Sequence, residues 1–271
     1  VTRAASGCLT GAVVSTFGVP GPDRITYSAQ VAGSEPGREY KRRTVRMLDL
    51  RPGQAVLEVG CGPGTDLREL AEGVTATGSV IGLDVRPALV EEARARVADL
   101  PWVAVRVGDA LALPLPEASV DRARADRMVQ HVERPLGLFA ELRRVLRPGG
   151  LAVLSEPDWD SLAIDPGDPE TNRAFNRFVC AERVRNPIVG RQLARLAEQS
   201  GLDVLALRAL PLVSRDFELT DKIAGLRRNS ERAVKAGYLD RDAARRWLAE
   251  LAAGPFLAAS LLFAVLVRRP G

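Results

Sequence analysis

The chain has 271 residues and a formal charge of only +4, enough for one large domain or a domain and a half with a sizeable core. Apolar residues make up 46%, yet no run approaches the ~18 consecutive apolar positions that a membrane-spanning helix needs. Lysine occurs three times, and the arginine pairs Arg42-Arg43 and Arg143-Arg144 fall on amphipathic stretches, which reads as solvated helix faces and not as a nucleic-acid surface.

Residues 1–23 are rich in small residues, and Thr10, Gly11, Ser15 and Thr16 interrupt their one apolar stretch. They are expected to form a disordered tail and not a targeting segment. Residues 24–271 are expected to form a single domain. Tyr27 and Tyr40 flank a loop of glycine, serine and proline at 33–37, followed by a helix over 39–50 that stops at Arg51-Pro52-Gly53. Val56 to Val59 is a short β-rich run. Gly60, Gly62 and Gly64 follow at alternate positions, and an amphipathic helix begins at Leu67. Residues 80–84 form the second strand, and Pro87 opens a helix whose Leu89, Ala93 and Val97 recur four apart. Strands are expected at 102–107, 119–125 and 151–155, with a helix marked by Leu136, Phe139, Ala140, Leu142 and Val145 before the last of them.

After Glu156 the pattern loosens. Residues 157–169 read as a loop rich in aspartate and proline. Helices are expected over 170–185 and 190–200, a strand over 203–212, helices over 220–235 and 241–252, the second capped by Asp240, and a last strand over 256–267. Strands alternating with helices imply an α/β fold with a mostly parallel sheet covered on both faces. In such sheets ligands bind at the carboxyl ends of the strands.

Strand, glycine turn and helix together bring bare backbone close to a polar ligand, because glycine has no Cβ and tolerates φ > 0. The dinucleotide fingerprint is G-x-G-x-x-G. Here the pattern is G-x-G-x-G, with Thr65 where the last dinucleotide glycine falls and Glu58 two residues before the first. Asp84 closes the second strand, where a carboxylate suits a ribose diol and repels a ribose phosphate. Gly108-Asp109-Ala110 follows the third strand.

These residues resemble the class I S-adenosylmethionine (SAM)-dependent methyltransferases over about 36–156. Glu58-Val-Gly60-Cys61-Gly62-Pro-Gly64 looks like their first motif, Asp84 their second and Gly108-Asp109-Ala110 their third. Leu146-Arg-Pro-Gly-Gly150 matches their helix stop before the fifth strand. The resemblance implies a Rossmann-like seven-stranded sheet with the last strand antiparallel, and a helical cap built from about 157–190 and 213–255. It implies that Gly60 and Gly62 offer backbone N–H groups to the methionine half of the cofactor, and that Glu58 attracts its ammonium. Asp84 would hold the ribose, Val85 pack on the adenine, and Asp109 and Ala110 read the adenine edge. Arg127 and Met128 would contact the methionine end through backbone, and Tyr27 would close over it.

His131, the one histidine in the chain, falls where relatives place a residue beside the transferring methyl. With an ordinary pKa of about 6.5 an imidazole can take a proton from a phenol or enol; the alternative is that it only shapes the pocket. Glu156, Asp158 and Asp160 suggest a magnesium site, but they fit no metal-dependent pattern, and no metal is expected. Trp159, Phe175, Phe178, Arg185 and Asn186 are candidate acceptor-pocket residues.

The signature of amino-group methylators of DNA bases is absent after the fourth strand. No catalytic cysteine is in place for carbon-5 methylation, and the charge is mild. Cys8, Cys61 and Cys180 are widely separated, which fits a reducing cytoplasm. The resemblance therefore points to a small-molecule acceptor of the quinone, sterol or secondary-metabolite kind, methylated on oxygen, nitrogen or carbon, by a monomer or homodimer with no nucleic-acid or membrane partner. A SAM-binding protein that no longer transfers methyl, such as a cyclase, and a nicotinamide oxidoreductase are the other readings.

Overall fold

The computed structural model describes residue 31 and residues 33–271. The expected tail and Tyr27 lie outside the described residues. Seven strands form one sheet in the order β3-β2-β1-β4-β5-β7-β6. These are β1 (Ala55–Val59), β2 (Ser79–Asp84), β3 (Val103–Val107), β4 (Val120–Asp126), β5 (Leu146–Asp165), β6 (Asp203–Ser214) and β7 (Leu257–Arg268). β7 runs antiparallel to both β5 and β6, and the pairings β3-β2-β1-β4-β5 are parallel.

The central strand β1 is buried on both faces, which is why it reads as an almost continuous apolar run. One face carries α1 (Glu35–Met47), α2 (Leu67–Val74) and α3 (Pro87–Arg96), whose Leu48, Leu70, Ala71 and Val90 pack against Val56 and Val80. The other carries α4 (Pro135–Val145) and α6 (Val189–Gln199), through Leu138, Phe139, Leu142 and Leu193. Leu136, one of the residues that marked this helix, is 46% exposed, while Leu138 is fully buried. The buried stripe of α4 is Leu138, Phe139, Leu142 and Val145, and Leu136 falls off it.

A third cluster joins α5 (Pro169–Phe178) to α7 (Phe217–Ala224), α8 (Leu226–Lys235) and α9 (Arg241–Ala253). Its centre is Trp247, whose ring lies 5.1 Å from that of Phe175 and whose indole N–H donates to Asn172 Oδ1 at 2.6 Å. Asp240 caps α9 by accepting from the N–H groups of Asp242 and Ala243.

Four expectations are corrected. The loop expected over 157–169 is mostly strand: β5 continues to Asp165, pairing Pro157 with Leu262 and Asp165 with Leu257. Beyond Ser155 β4 has ended, so β5 is paired on one side only, and a proline there is tolerated as on any sheet edge. The helix expected over 220–235 is two helices, broken at Gly225, which adopts φ +68. The helix expected over 170–185 ends at Phe178 and widens into a π turn over Val179–Arg183. Finally, α1 begins at Glu35, because Ser34 Oγ accepts the N–H of Gly37 and caps the helix inside the expected 33–37 loop.

Candidate cofactor and acceptor site

The turn after β1 is built on three left-handed glycines: Gly60 at φ +73, Gly62 at +54 and Gly64 at +77. A Cβ on Gly60 would lie 2.8 Å from Met128 Cβ, and one on Gly64 would lie 2.9 Å from Ala93 Cβ. The missing side chains thus let the β4 turn and α3 close on this bend. The N–H groups of Gly60 and Cys61 donate to Leu83 O at 2.7 and 2.9 Å, and that of Gly62 donates to Asp84 Oδ2 at 3.0 Å. In this arrangement the N–H groups of Gly60 and Gly62 tie the turn to β2. The Cys61 thiol is buried and points at Gly82; burial, with Asp84 nearby, pushes it well above the usual thiol range.

Asp84 and Asp109 stand at the carboxyl ends of adjacent strands. The register pairs Asp84 with Val107, and the Gly108 N–H donates to Asp84 O at 3.1 Å. Asp84 Oδ1 accepts from Arg86 N at 2.9 Å, but a carboxylate has about four acceptor sites. Capacity for a diol remains. Val85 is 66% exposed beside it, an apolar shelf at the rim. Asp109 is exposed and accepts from Leu111 N at 2.8 Å, while Ala110 is half-buried against the core.

Under the turn lies a charged cluster that the sequence reading missed, apart from Glu58. Arg124, fully buried, pairs with Glu58 at 2.6 Å, Asp66 at 2.9 Å and Asp126 at 3.3 Å. Lys41 pairs with Asp66 at 2.5 Å and Asp126 at 3.3 Å. Tyr40 and Ser155 donate their hydroxyls to Asp126 at 3.1 and 2.5 Å. Burial raises all three acids, but Arg124 and Lys41 overcome it at Asp66 and Asp126 and hold both below the usual carboxylate range. At Glu58 burial wins over Arg124, with Asp66 and Asp126 adding to it, and its carboxyl is pushed up to about 7. Glu58 Oε2 is buried with no hydrogen-bond partner among the described residues. Three carboxylic acids thus face two cations here, and one carboxyl oxygen is left without a hydrogen-bond partner among the described residues, which is costly in a buried place.

The strand register was the available signal for this cluster. Glu58 and Arg124 are direct partners across β1 and β4. The run Asp121-Arg-Ala-Arg-Ala-Asp126 is an unusually charged central strand, and such charges are buried only when paired.

The turn after β4 carries Arg127, Met128 and His131. Arg127 has φ +54, held by its N–H donating to Ser155 O at 2.8 Å and by Gln130 Nε2 donating to its carbonyl at 3.2 Å. The Met128 side chain rests on Gly60. Val129 N–H donates to Glu156 Oε1 at 2.5 Å. His131 ends the 3₁₀ turn Val129–His131 and is exposed.

Beside this turn opens a cavity of about 740 Å³, counting its mouth. Its walls come from the start of α1, the outer part of β5, the ends of β6 and β7, and α7, with Trp159, Leu162, Leu212, Leu219, Ile223 and Ala259 among them. Of the expected pocket residues Trp159 lines it. Phe175 and Phe178 are buried in the α5–α9 cluster, because their spacing on α5 serves that core. Asn186 ties the β4 turn, donating to Val129 O and Val132 O at 3.1 and 2.7 Å. His131 is not one of the cavity's lining residues. Of the suspected acidic set, Glu156 holds Val129, Asp158 pairs with Arg191, and Asp160 sits 3.2 Å from the same arginine. Ion pairing and backbone bonding account for these three carboxylates.

A family model described as a methyltransferase domain matches residues 57–154. The chain is 50% identical over 247 residues to an uncharacterized 37.1 kDa protein in transposon TN4556 of Streptomyces fradiae, covering 91% of this chain and 72% of that one. It is 28% identical over 165 residues to a demethylmenaquinone methyltransferase of Staphylococcus aureus, covering 61% of this chain and 65% of that relative's length, just under two thirds. A crystal structure from Bacillus halodurans, provisionally assigned as a methyltransferase, superposes with TM-score 0.64 at 16% identity, covering 86% of this chain and all of that one, a likeness of fold. Turn, acids, sheet order and the matched domain agree: residues 57–154 carry the methyltransferase domain of the class I SAM-dependent family.

Proposed function

We propose that this chain methylates a small, largely apolar acceptor held in the cavity between α1, α7 and the outer sheet. The observation that carries the reading is that cavity and cofactor side meet at the end of β4. Tyr40 lines the cavity and donates to Asp126, which pairs with Arg124 and so adjoins Glu58; Arg127, the next residue after Asp126, lines the cavity too. The cofactor, when bound, supplies an electrophilic methyl group. Glu58 would hold its ammonium, Asp84 its ribose, Val85 its adenine ring, and Asp109 with Ala110 the adenine edge. Gly60, Gly62 and Gly64 let the chain close around it, with Met128 behind.

The chain's own contribution is alignment. Holding an acceptor atom in line, in a cavity whose walls exclude water, supplies ~7–11 kcal/mol in well-oriented systems. His131 is the candidate base for an acceptor that carries a proton. The named activity of the Staphylococcus relative supports a quinone-like acceptor class. No helix among the described residues is long and apolar enough to cross a membrane, and a cytoplasmic enzyme without nucleic-acid partners fits the reading.

Calorimetry with SAM, S-adenosylhomocysteine (SAH) and NAD tests the cofactor: uptake of the first two alone is expected. SAH formation with a panel of quinols, sterols and lipophilic phenols tests the transfer. Uptake of NAD in preference to SAM, or SAM uptake with no SAH from any lipophilic acceptor, would sink the respective half.

A further inference from the structure

The cavity's polar groups are almost all committed. Ser34 donates its hydroxyl to Val31 O at 2.8 Å, Tyr40 to Asp126 at 3.1 Å, and Thr220 to Asp216 O at 2.8 Å. Ser214 donates to the same carbonyl at 3.2 Å. Asp158, the one carboxylate on the wall, is bound by Arg191 through two guanidinium nitrogens and carries no uncompensated charge. Most of the surface left to an occupant is aliphatic, with the Trp159 indole among it.

Arg127 is the one cationic side chain among the described residues lining the cavity. Its left-handed φ of +54 is a conformation that a non-glycine residue adopts only where its surroundings hold it. The backbone is fixed there by Ser155 and Gln130, at the base of the cavity beside Tyr40. A guanidinium has five N–H donors in a planar fork, so it can grip a two-oxygen anion beside any contact it makes elsewhere.

The geometry points to an acceptor that is an anionic amphiphile: an aliphatic or aromatic body filling the cavity, with one acidic oxygen group, such as a carboxylate, enolate or phosphate, bound by Arg127. The inference rests on the proposed acceptor role of the cavity and gives Arg127 a side-chain role in acceptor selection, beyond its backbone role toward the cofactor.

The test uses the full chain saturated with SAH, so that the cofactor site is filled. The neutral dye N-phenyl-1-naphthylamine reports on the cavity, and Ala259→Trp, which fills the wall, should abolish its fluorescence gain. Dodecanoate and 1-dodecanol then compete for the dye. Dodecanoate is expected to displace it at a concentration about tenfold lower or more, as a charge-assisted pair predicts. Arg127→Gly, which suits the left-handed backbone, should bring the two within about threefold while leaving dodecanol unchanged. High salt should shrink the wild-type preference, a readout that needs no variant. Equal displacement by acid and alcohol in the wild type, or a preference that survives Arg127→Gly, overturns the inference. Loss of SAH uptake strikes the cofactor reading, and failure of the dye to bind strikes the acceptor role of the cavity; each is a separate readout.

Discussion

Trp159 donates its indole N–H to Gln130 Oε1 at 2.8 Å, so a wall of the acceptor cavity is tied directly to the turn that carries Met128 and His131. Asn186 reinforces the link, its own N–H donating to Gln130 O at 3.1 Å. On the proposed reading, pressure on the indole from an acceptor would pass to this turn.

Trp159→Phe keeps an aromatic wall and deletes this bond. Gln130 is 3% exposed, so its oxygen is left unsatisfied at a cost of about 1–3 kcal/mol. The expected outcome is a lower unfolding midpoint and a kcat reduced severalfold with acceptor KM little changed. Trp159→Ala, which also opens the wall, should raise KM. A KM effect in Trp159→Phe with kcat untouched would mean that the bond does not position the turn.

Gly60→Ala meets two obstacles that can be separated. The new Cβ lies 2.8 Å from Met128 Cβ, and φ is +73. The backbone term alone is about 1 kcal/mol. Met128→Ala removes only the second tight contact, with Met128 Cγ at 3.0 Å, whereas Met128→Gly removes both. The double variant Gly60→Ala/Met128→Gly should therefore recover more of the SAH affinity lost in Gly60→Ala than Gly60→Ala/Met128→Ala does. Titration calorimetry decides between them.

Arg124→Met removes the cation shared by Glu58, Asp66 and Asp126 and leaves Lys41 alone to balance them. Breaking a buried ion-pair set from one side costs about 3–5 kcal/mol. Denaturant unfolding should show a loss of that order. Adding Glu58→Gln should restore part of it by removing one stranded charge. A loss below about 1 kcal/mol would mean that solvent reaches the cluster.

Much of this was legible in the chain. Alternating glycines mark a bend that no other residue allows, and Asp84 and Asp109 each close an apolar run, so their place at the strand ends followed. The seven-stranded, mostly parallel sheet with its last strand antiparallel followed from the family pattern. What was hidden depends on partners distant in sequence. The pairing of Glu58 with Arg124 is a property of two strands in register, and the outer half of β5 is strand because β7 lies beside it, against the local bias of aspartate and proline. Phe175 and Phe178 carry apolar periodicity, which cannot say whether a face meets a cavity or a second core.

His131 is exposed and absent from the cavity walls, so its role as base depends on the acceptor extending to it. If it takes the proton, His131→Ala lowers kcat by about 100-fold or more and removes the acidic limb of the pH–rate profile. Turnover and profile like those of the wild type would reduce His131 to a surface residue of the turn.

Glu156 makes stability depend on pH in a direction opposite to that of most acids. It is fully buried, Oε1 accepts the Val129 N–H, and Oε2 has no hydrogen-bond partner among the described residues. Burial is the largest influence and pushes the carboxyl from 4.5 to about 8, against the lowering effect of the Val129 N–H. Below about pH 4.5 both folded and unfolded chains hold this proton. Between there and pH 8 only the folded chain does, so folding takes up a proton and stability falls as pH rises. Glu58 acts with the same sign up to about 7, and Asp66 and Asp126, held low, act oppositely and only in acid. Glu156→Gln keeps the shape and cannot ionise. From pH 5.5 to 8 the wild type should therefore lose more stability than the variant, by on the order of a few kcal/mol. Parallel stability curves for the two proteins would show that Glu156 ionises in the folded chain as readily as in the unfolded one, and the buried neutral acid would be ruled out.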